Sequence, residues 1–237
     1  MKQKPVHHSM EAFLSGEIVL IDKPFSWTSF DAVKKIRILT GVSKVGHAGT
    51  LDPLATGLLI ICTGAYTKKI SSYMGMEKQY AGSMILGAST ATYDLESEPE
   101  NFKNINQVSS AEIYETAKKF TGEILQTPPA HSAIKKDGKP VYLLARKGKE
   151  VILEPRRITI SVFEITSISL PEICFNVVCT TGTYIRSLAN DFGKSLGTGA
   201  YLSSLRRTRI GNFLVDDALT PQQFEEKIMQ MKSLSER

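Results

Sequence analysis

The sequence has little of what membrane, disulfide-bonded and zinc-binding proteins require. No apolar run approaches the roughly 20 residues of a membrane-spanning helix, and residues 1–13 lack the apolar core of a signal peptide. The three cysteines, Cys62, Cys174 and Cys179, are an odd number and lie in apolar runs, which predicts reduced core thiols of a cytoplasmic protein. No group of cysteines and histidines has zinc-ligand spacing, so we expect no metal. Because a membrane-spanning apolar run is missing, we also expect no membrane partner.

Positive charge is concentrated in two short segments. The 237-residue chain carries 29 Lys and Arg against 24 Asp and Glu, a net charge of +5, and its 42% hydrophobic content is sufficient for a core. Residues 131–157 hold eight basic and three acidic residues, and Arg206–Arg209 is a second basic cluster. A solvated face explains either cluster alone, but clustered positive charge is also the electrostatic footprint of nucleic-acid binding.

A glycine-rich stretch, Gly46–Gly57, places one aspartate in an unusual setting. It reads Gly-His-Ala-Gly-Thr-Leu-Asp-Pro-Leu-Ala-Thr-Gly and leads into an apolar run. Pro53 pushes Asp52 toward an extended backbone, so its carboxylate is held on a stiff turn at the start of a strand. Asp52 is then either a turn residue bonded to local amides or a nucleophile or acid–base group. The stretch lacks the features of a P-loop and of a dinucleotide-binding loop, so we expect no nucleotide cofactor.

Three further side chains have both a structural and a functional interpretation, and pattern alone leaves the choice open. Arg186 falls in the first turn of a predicted helix, where the helix dipole disfavours a cation, so it is either an exposed arginine or the partner of a fixed carboxylate. Tyr80, at a strand start, is either a core residue or a platform for an unstacked base. His47 is either a turn residue or a contact beside a flipped nucleotide.

Strands and helices mix without a regular βαβ repeat, which predicts an α+β fold with a mainly antiparallel mixed sheet flanked by helices. The predicted strands are 17–21, 58–63, 79–86, 158–169 and 173–179, and three of the predicted helices are 30–40, 183–196 and 220–234. Ser29 is expected to cap the first of these helices. Alternation places Ile158, Ile160 and Val162 on one buried face. We expect a flexible tail over residues 1–15 and a single domain over 16–237.

Eight segments resemble, in the same order, the TruB family of pseudouridine synthases, in which the aspartate of a Gly-His-x-Gly-x-Leu-Asp-Pro motif is catalytic. The resemblance covers roughly Gly16 to Phe213. Its segments are Leu20–Pro24 with Thr28 and Ser29, Gly46–Leu59, Lys78–Tyr80 with Leu86 and Gly87, Thr90–Asp94, Pro128–Lys135, Tyr142–Gly148, Gly182–Leu188 and Leu205–Gly211.

The resemblance implies a pseudouridine synthase-like catalytic domain that converts uridine 55 in the T arm of tRNA to pseudouridine without cofactor or metal. It implies that Asp52 attacks a flipped-out nucleoside, that Tyr80 stacks on the uracil and that Arg186 holds the aspartate. His47 would support the extruded nucleotide. The substrate-binding residues that it implies are His47, Tyr80, Tyr184, Arg186 and Leu205.

The resemblance also implies how RNA is held. The insertion at about 128–157 would grip the RNA loop, and the predicted RNA contacts are Lys23, Lys135, Lys136, Lys139, Arg146, Arg206 and Arg207. Many relatives carry a further PUA domain, but only residues 214–237 follow Phe213, so we expect a short form without a full PUA domain. We expect a monomer with no obligate protein partner. A tRNA-binding module or tRNA-folding chaperone, with secondary or no catalytic activity, is the alternative.

Overall fold

The computed structural model describes residues 10–131 and 153–235, and the backbone of two short strands at 135–136 and 139–140. The chain divides into two compact units. Unit 1 comprises Met1–Met76 and Arg206–Arg237, and unit 2 comprises Glu77–Leu205. The strand Ala200–Ile210 contributes residues to both units.

Unit 1 is built around one buried strand. Its helices are α1 (Met10–Ser15), α2 (Ser29–Thr40), α3 (Ile70–Gly75) and α6 (Pro221–Ser235). Short 3-10 helices cover Gly64–Lys69 and Val215–Asp217. Its strands are β1 (Ile18–Lys23), β2 (Val45–His47), β3 (Thr56–Thr63) and β11 (Phe213–Leu214). The strand β10 spans Ala200–Ile210, and its residues from 206 onward also belong to unit 1. β3 pairs antiparallel with β1 and β2, and in parallel with β10.

The apolar run of β3 is buried on both faces. Every side chain of 58–62 has 0% exposure. One face packs with apolar residues of α2 and α6, and the other packs with Ile210 and Val215. A strand covered on both sides has no polar face to alternate with, which is why its sequence is continuously apolar.

The start of α2 differs from the prediction by one residue. Thr28, and not Ser29, is the N-cap: its hydroxyl accepts the Asp31 N–H at 3.0 Å, and the Asp31 carboxylate accepts the Thr28 N–H at 2.9 Å. This reciprocal capping box satisfies two backbone donors of the first turn. The Ser29 hydroxyl instead bonds the backbone of Leu51.

The flexible tail predicted for residues 1–15 is wrong over its last six residues. Met10–Ser15 is helical, and Phe13 has 0% exposure. The ring of Phe13 packs edge-on against Phe224 of α6, with the centroids 5.9 Å apart. The predicted helix at 220–234 is confirmed as α6, with Phe224 and Ile228 buried.

Unit 2 consists mainly of antiparallel strands, and two helices of its described residues pack against them. Its strands are β4 (Lys78–Leu86), β5 (Gly122–Gln126), β8 (Arg156–Ser169), β9 (Glu172–Cys179) and the first half of β10. They follow the order β10-β4-β9-β8-β5, with β4–β9, β9–β8 and β8–β5 antiparallel. The helices are α4 (Ser110–Lys119) and α5 (Ile185–Ser195), and their apolar faces share one core with the strands. The predicted α+β class with a mainly antiparallel mixed sheet is confirmed.

The prediction that Val162 of β8 is buried is wrong. Ile158 and Ile160 are buried, but Val162 is 43% exposed, and Phe163 and Ile165 are buried instead. The register between β8 and β9 shifts between Ile160 and Val162, so a bulge reverses the alternation. Alternation predicts a face only as far as the ladder stays regular.

The sequence Lys-Lys-Asp-Gly-Lys at 135–139 is typical of a hairpin turn. In agreement, the backbone of β6 (Lys135–Lys136) pairs antiparallel with that of β7 (Lys139–Pro140). The sequence also predicts a helix over 141–146, and these residues lie outside the described ones. In the part of the chain that the structure describes, no helix combines the length and the apolarity needed to cross a membrane.

The three cysteines carry free thiols, as predicted. Cys62 and Cys179 are buried, and burial raises the pKa of each thiol to about 11. Both therefore stay protonated and unreactive near neutral pH. Cys174 is only half-buried.

Candidate active site

Asp52 lies in the loop that joins β2 to β3, and the loop is anchored at the residue before it. Leu51 is buried, and its backbone is held on both sides by Ser29: the Leu51 N–H donates to Ser29 Oγ at 2.8 Å, and the hydroxyl donates to the Leu51 oxygen at 3.1 Å. The turn closes through the Ala55 N–H, which donates to the Asp52 oxygen at 3.1 Å. Asp52 itself is half-buried, so a fixed backbone presents its side chain.

A buried lysine lies behind the Asp–Pro turn. Lys23 has 0% exposure, and its ammonium donates to the backbone oxygens of Trp27 at 2.6 Å, Pro24 at 3.0 Å and Pro53 at 3.3 Å. Burial lowers its pKa to about 8, while the Asp52 carboxylate acts in the opposite direction. The predicted RNA contact of Lys23 is wrong, because a side chain without exposed surface cannot reach a phosphate. It fixes the turn from inside and places a cation near Asp52.

A buried arginine holds the other side of the loop. Arg207 is 1% exposed. It donates from Nε to the Leu58 oxygen at 2.8 Å, from Nη2 to the Gly49 oxygen at 3.1 Å and from Nη1 to the Thr50 oxygen at 3.3 Å. Its predicted RNA contact is therefore also wrong. Three charge-assisted hydrogen bonds tie the start of the loop to the strand that follows it.

The adjacent arginine is on the opposite side of β10. Arg206 binds Asp22 through two bonds, with Nη2 2.7 Å from Oδ2 and Nη1 3.0 Å from Oδ1. Its side chain is 42% exposed, so it remains accessible although its charge is paired. The RNA contact of Arg206 stays a prediction. Because successive strand residues point to opposite faces, the Arg-Arg pair itself indicates that one of the two is directed inward.

His47 ends β2, opposite Ile61, and is half-buried. Burial, and after it the charge of Arg207, lower the pKa of His47 below 6.5, while a backbone hydrogen bond with Gly49 acts in the opposite direction. The imidazole is therefore neutral near pH 7. A neutral ring suits contact with a nucleotide better than it suits a salt bridge to phosphate, and that contact stays a prediction.

In unit 2, Arg186 is the centre of a buried polar cluster. It is the second residue of α5 and 5% exposed. Its guanidinium donates to the Thr92 oxygen at 3.2 Å and the His131 oxygen at 3.0 Å, and Nε is 3.6 Å from Oδ2 of Asp94, which is 4% exposed. The interpretation of Arg186 as an exposed residue is excluded. Asp94 is a carboxylate partner that the sequence did not predict, and the predicted action of Arg186 on Asp52 stays a prediction.

Three more predicted substrate-binding residues belong to unit 2. Tyr80 lies on β4 opposite Val177, 9% exposed and part of the core, so it packs there whether or not it also stacks on a base. Tyr184 precedes α5, and Gln126 binds its backbone at both ends, accepting its N–H at 2.8 Å and donating to its oxygen at 3.0 Å. Leu205 is partly buried against the same core. Their substrate contacts stay predictions.

The remaining predicted RNA contacts lie outside the described side chains. These are Lys135, Lys136, Lys139 and Arg146, and most of the basic insertion at 128–157 lies there too. Over the ranges 10–131 and 153–235, no cluster of three or more His, Cys, Asp or Glu residues has the arrangement of a metal site.

Comparison with known families and proteins gives consistent results. Residues 37–185 match the model of the TruB family pseudouridylate synthase N-terminal domain, and residues 186–237 match that of the tRNA pseudouridylate synthase B C-terminal domain. A tRNA pseudouridine synthase B of Flavobacterium johnsoniae is 52% identical over 225 residues, covering 92% of this chain and 98% of that protein. The protein of the same name from Chloroherpeton thalassium is 47% identical over 222 residues, covering 90% and 91%.

Solved structures agree with this similarity. The crystal structure of a Cbf5–Nop10–Gar1 complex contains a chain with a TM-score of 0.75 and 29% identity, which covers 95% of this chain. A chain in the structure of an H/ACA RNP bound to a substrate RNA containing 2′-deoxyuridine gives a TM-score of 0.72 and 26% identity, and covers 96%. This protein spans only 58% of each of those longer chains. The chain belongs to the TruB family of pseudouridylate synthases.

Proposed function

We propose that this protein converts uridine 55 in the T arm of tRNA to pseudouridine, with Asp52 as the nucleophile. The observation that carries the proposal is the loop of Asp52, whose backbone is held by three buried side chains while its carboxylate is left half-buried. Relatives named tRNA pseudouridine synthase B match almost over their full length. We place the reaction in the cytoplasm, where tRNA and reduced cysteines coexist.

The chemistry asks for what these residues supply. The isomerisation replaces a C1′–N1 bond by a C1′–C5 bond; C5 loses a proton and N1 gains one, so no oxidant or reductant is consumed. A carboxylate that attacks the nucleoside splits this exchange into two easier steps. Because a base inside folded RNA is out of reach, the nucleotide must first be flipped out. We assign stacking on the uracil to Tyr80 and support of the extruded nucleotide to His47.

The buried cations prepare the carboxylate for this role. Lys23 and Arg207 bind backbone oxygens on either side of Asp52, so the loop is ordered before RNA arrives. Preorganisation of this kind lowers the reorganisation that the reaction requires.

Replacement of Arg186 by Gln is expected to lower kcat by about 100-fold or more and to change the Kd for tRNA less than about threefold. The loss of kcat follows from the predicted role of Arg186 in holding the Asp52 carboxylate. Removal of the guanidinium also leaves the buried carboxylate of Asp94 uncompensated, which destabilises the fold by about 3–5 kcal/mol. Single-turnover kinetics and RNA binding measure the two effects separately, below the melting temperature of the variant. Lys118→Gln is the matched control, because its pair with Glu115 is exposed and worth little. A variant with normal kcat and weakened RNA binding contradicts the proposed role.

Replacement of Lys135, Lys136 and Lys139 together by Gln is expected to flatten the salt dependence of tRNA binding. Each phosphate contact contributes roughly 0.7 to 0.9 to the slope of log K against log salt, so the slope should fall by about 2 to 3. Replacement of the exposed Lys118, Lys119 and Lys232 removes the same charge at other places and controls for net charge. If both triple variants change the slope equally, the RNA does not contact the hairpin.

A further inference from the structure

A tight turn beside the Asp52 loop carries an exposed aromatic ring. Pro24–Trp27 connects β1 to α2 in unit 1, and Phe25 in this turn is 60% exposed, whereas Trp27 is partly buried. Exposure of a large aromatic ring forgoes the stabilisation that its burial would give. A single exposed apolar residue is common on protein surfaces, so exposure alone does not indicate a binding role for Phe25.

The backbone of this turn is strained, and the buried Lys23 side chain binds it. Ser26 has φ of +65°, a left-handed conformation that disfavours residues with a Cβ. The ammonium of Lys23 binds the backbone oxygens at both ends of the turn, those of Pro24 and Trp27. Strained conformations persist where the surroundings over-determine them, and they concentrate at functional sites.

The same turn is bonded to the Asp–Pro turn. The Ser26 N–H donates to the Pro53 oxygen at 3.0 Å, and Lys23 Nζ donates to that oxygen at 3.3 Å. Phe25 and Asp52 are each adjacent in sequence to one partner of the Ser26–Pro53 bond. The backbone that carries the exposed ring is therefore held beside the backbone that carries Asp52.

We infer that Phe25 stacks on an unpaired base of the RNA that neighbours the uridine attacked by Asp52. The inference rests on the proposed function and adds a substrate contact to it. Flipping a nucleotide out of a folded loop deprives neighbouring bases of stacking partners, and aromatic side chains replace such partners in single-stranded RNA recognition. An aromatic side chain has only two torsions to fix, so on an ordered backbone it does so with little loss of side-chain entropy on binding.

The test uses the full chain and three variants: Phe25→Ala, Phe25→Leu and Phe25→Trp. For an unmodified T-arm hairpin, Phe25→Ala and Phe25→Leu should raise Kd and KM by about 10-fold, whereas Phe25→Trp should bind as wild type does. The leucine separates stacking from general apolar contact. Phe30→Ala is the matched control, because Phe30 in the first turn of α2 is 62% exposed and should leave Kd unchanged. Melting temperatures should equal that of the wild type.

A second RNA sharpens the result. A fully paired duplex of the same length, which offers no free base, should bind all the variants equally. Equal binding of the T-arm hairpin by Phe25→Leu and wild type, or an equal loss on the duplex, would overturn the stacking role. If the wild type forms no pseudouridine but Phe25→Ala still weakens hairpin binding selectively, the proposed function fails and the stacking contact stands. If the wild type forms pseudouridine and Phe25→Ala binds the hairpin as the wild type does, the proposed function stands and the stacking contact is excluded.

Discussion

Asp52→Asn is expected to reduce pseudouridine formation to below about 10⁻³ of the wild-type rate, because the amide cannot act as the nucleophile. The amide has nearly the shape of the carboxylate, and Ser29 anchors the loop through the backbone N–H and oxygen of Leu51. Folding and RNA affinity should therefore be retained, with a Kd within about threefold of wild type and an unchanged melting temperature.

Release of the C5 proton provides the readout. An unmodified tRNA transcript labelled with tritium at C5 of its uridines loses one label for each pseudouridine formed, and the T-arm position is then located by sequencing. Asp216→Asn is the control, since Asp216 is an exposed aspartate of the same unit and should leave the rate unchanged. Retained turnover by Asp52→Asn removes Asp52 as the nucleophile.

The same experiment decides between the enzyme and the tRNA-binding module or folding chaperone. A module whose role is binding needs no carboxylate beside a polyanion, because that charge opposes phosphate. If wild type and Asp52→Asn both bind tRNA tightly and neither forms pseudouridine, the binding function is favoured. Turnover by the wild type alone supports both the reaction and its central residue.

The features predicted well from the sequence are those with a local cause. The strand β3 follows from its continuous apolar run, and α5 and the final helix follow from the helical period of their apolar residues. The Asp–Pro turn also follows from its own residues. In each case the residues that determine the structure lie within one element, so no knowledge of distant contacts is needed.

The two lysine and arginine side chains predicted wrongly as RNA contacts have partners far away in sequence. Arg207 binds the oxygen of Gly49, 158 residues earlier, and Lys23 binds that of Pro53, 30 residues later. The sequence predicts both side chains to lie at the surface, because composition does not distinguish a buried cation from a solvated one. A buried cation is stable only where several backbone oxygens converge on it, and that convergence is a property of the fold. The bulge before Val162 is likewise set by the pairing of two strands.

Gly57→Ala is expected to destabilise the protein by about 2–5 kcal/mol, the combined cost of overpacking and of a left-handed backbone. Gly57 has φ of +103°, and a Cβ there would lie 2.3 Å from the backbone oxygen of Arg207 and 2.7 Å from its nitrogen. The two residues are paired in the parallel ladder between β3 and β10, so neither strand can move away without breaking that ladder. Any shift of Arg207 also disturbs the three hydrogen bonds that hold the Asp52 loop.

Gly41→Ala is the control that separates backbone conformation from crowding. Gly41 also has positive φ, +69°, but a Cβ there would meet nothing within 4 Å. Its substitution should cost only about 1 kcal/mol. Urea unfolding of both variants measures the difference, and turnover below the melting temperature should fall for Gly57→Ala alone, because only that variant displaces Arg207. Equal stability losses would show that β3 and β10 can separate, and the rigid Asp52 loop would then lose its physical basis.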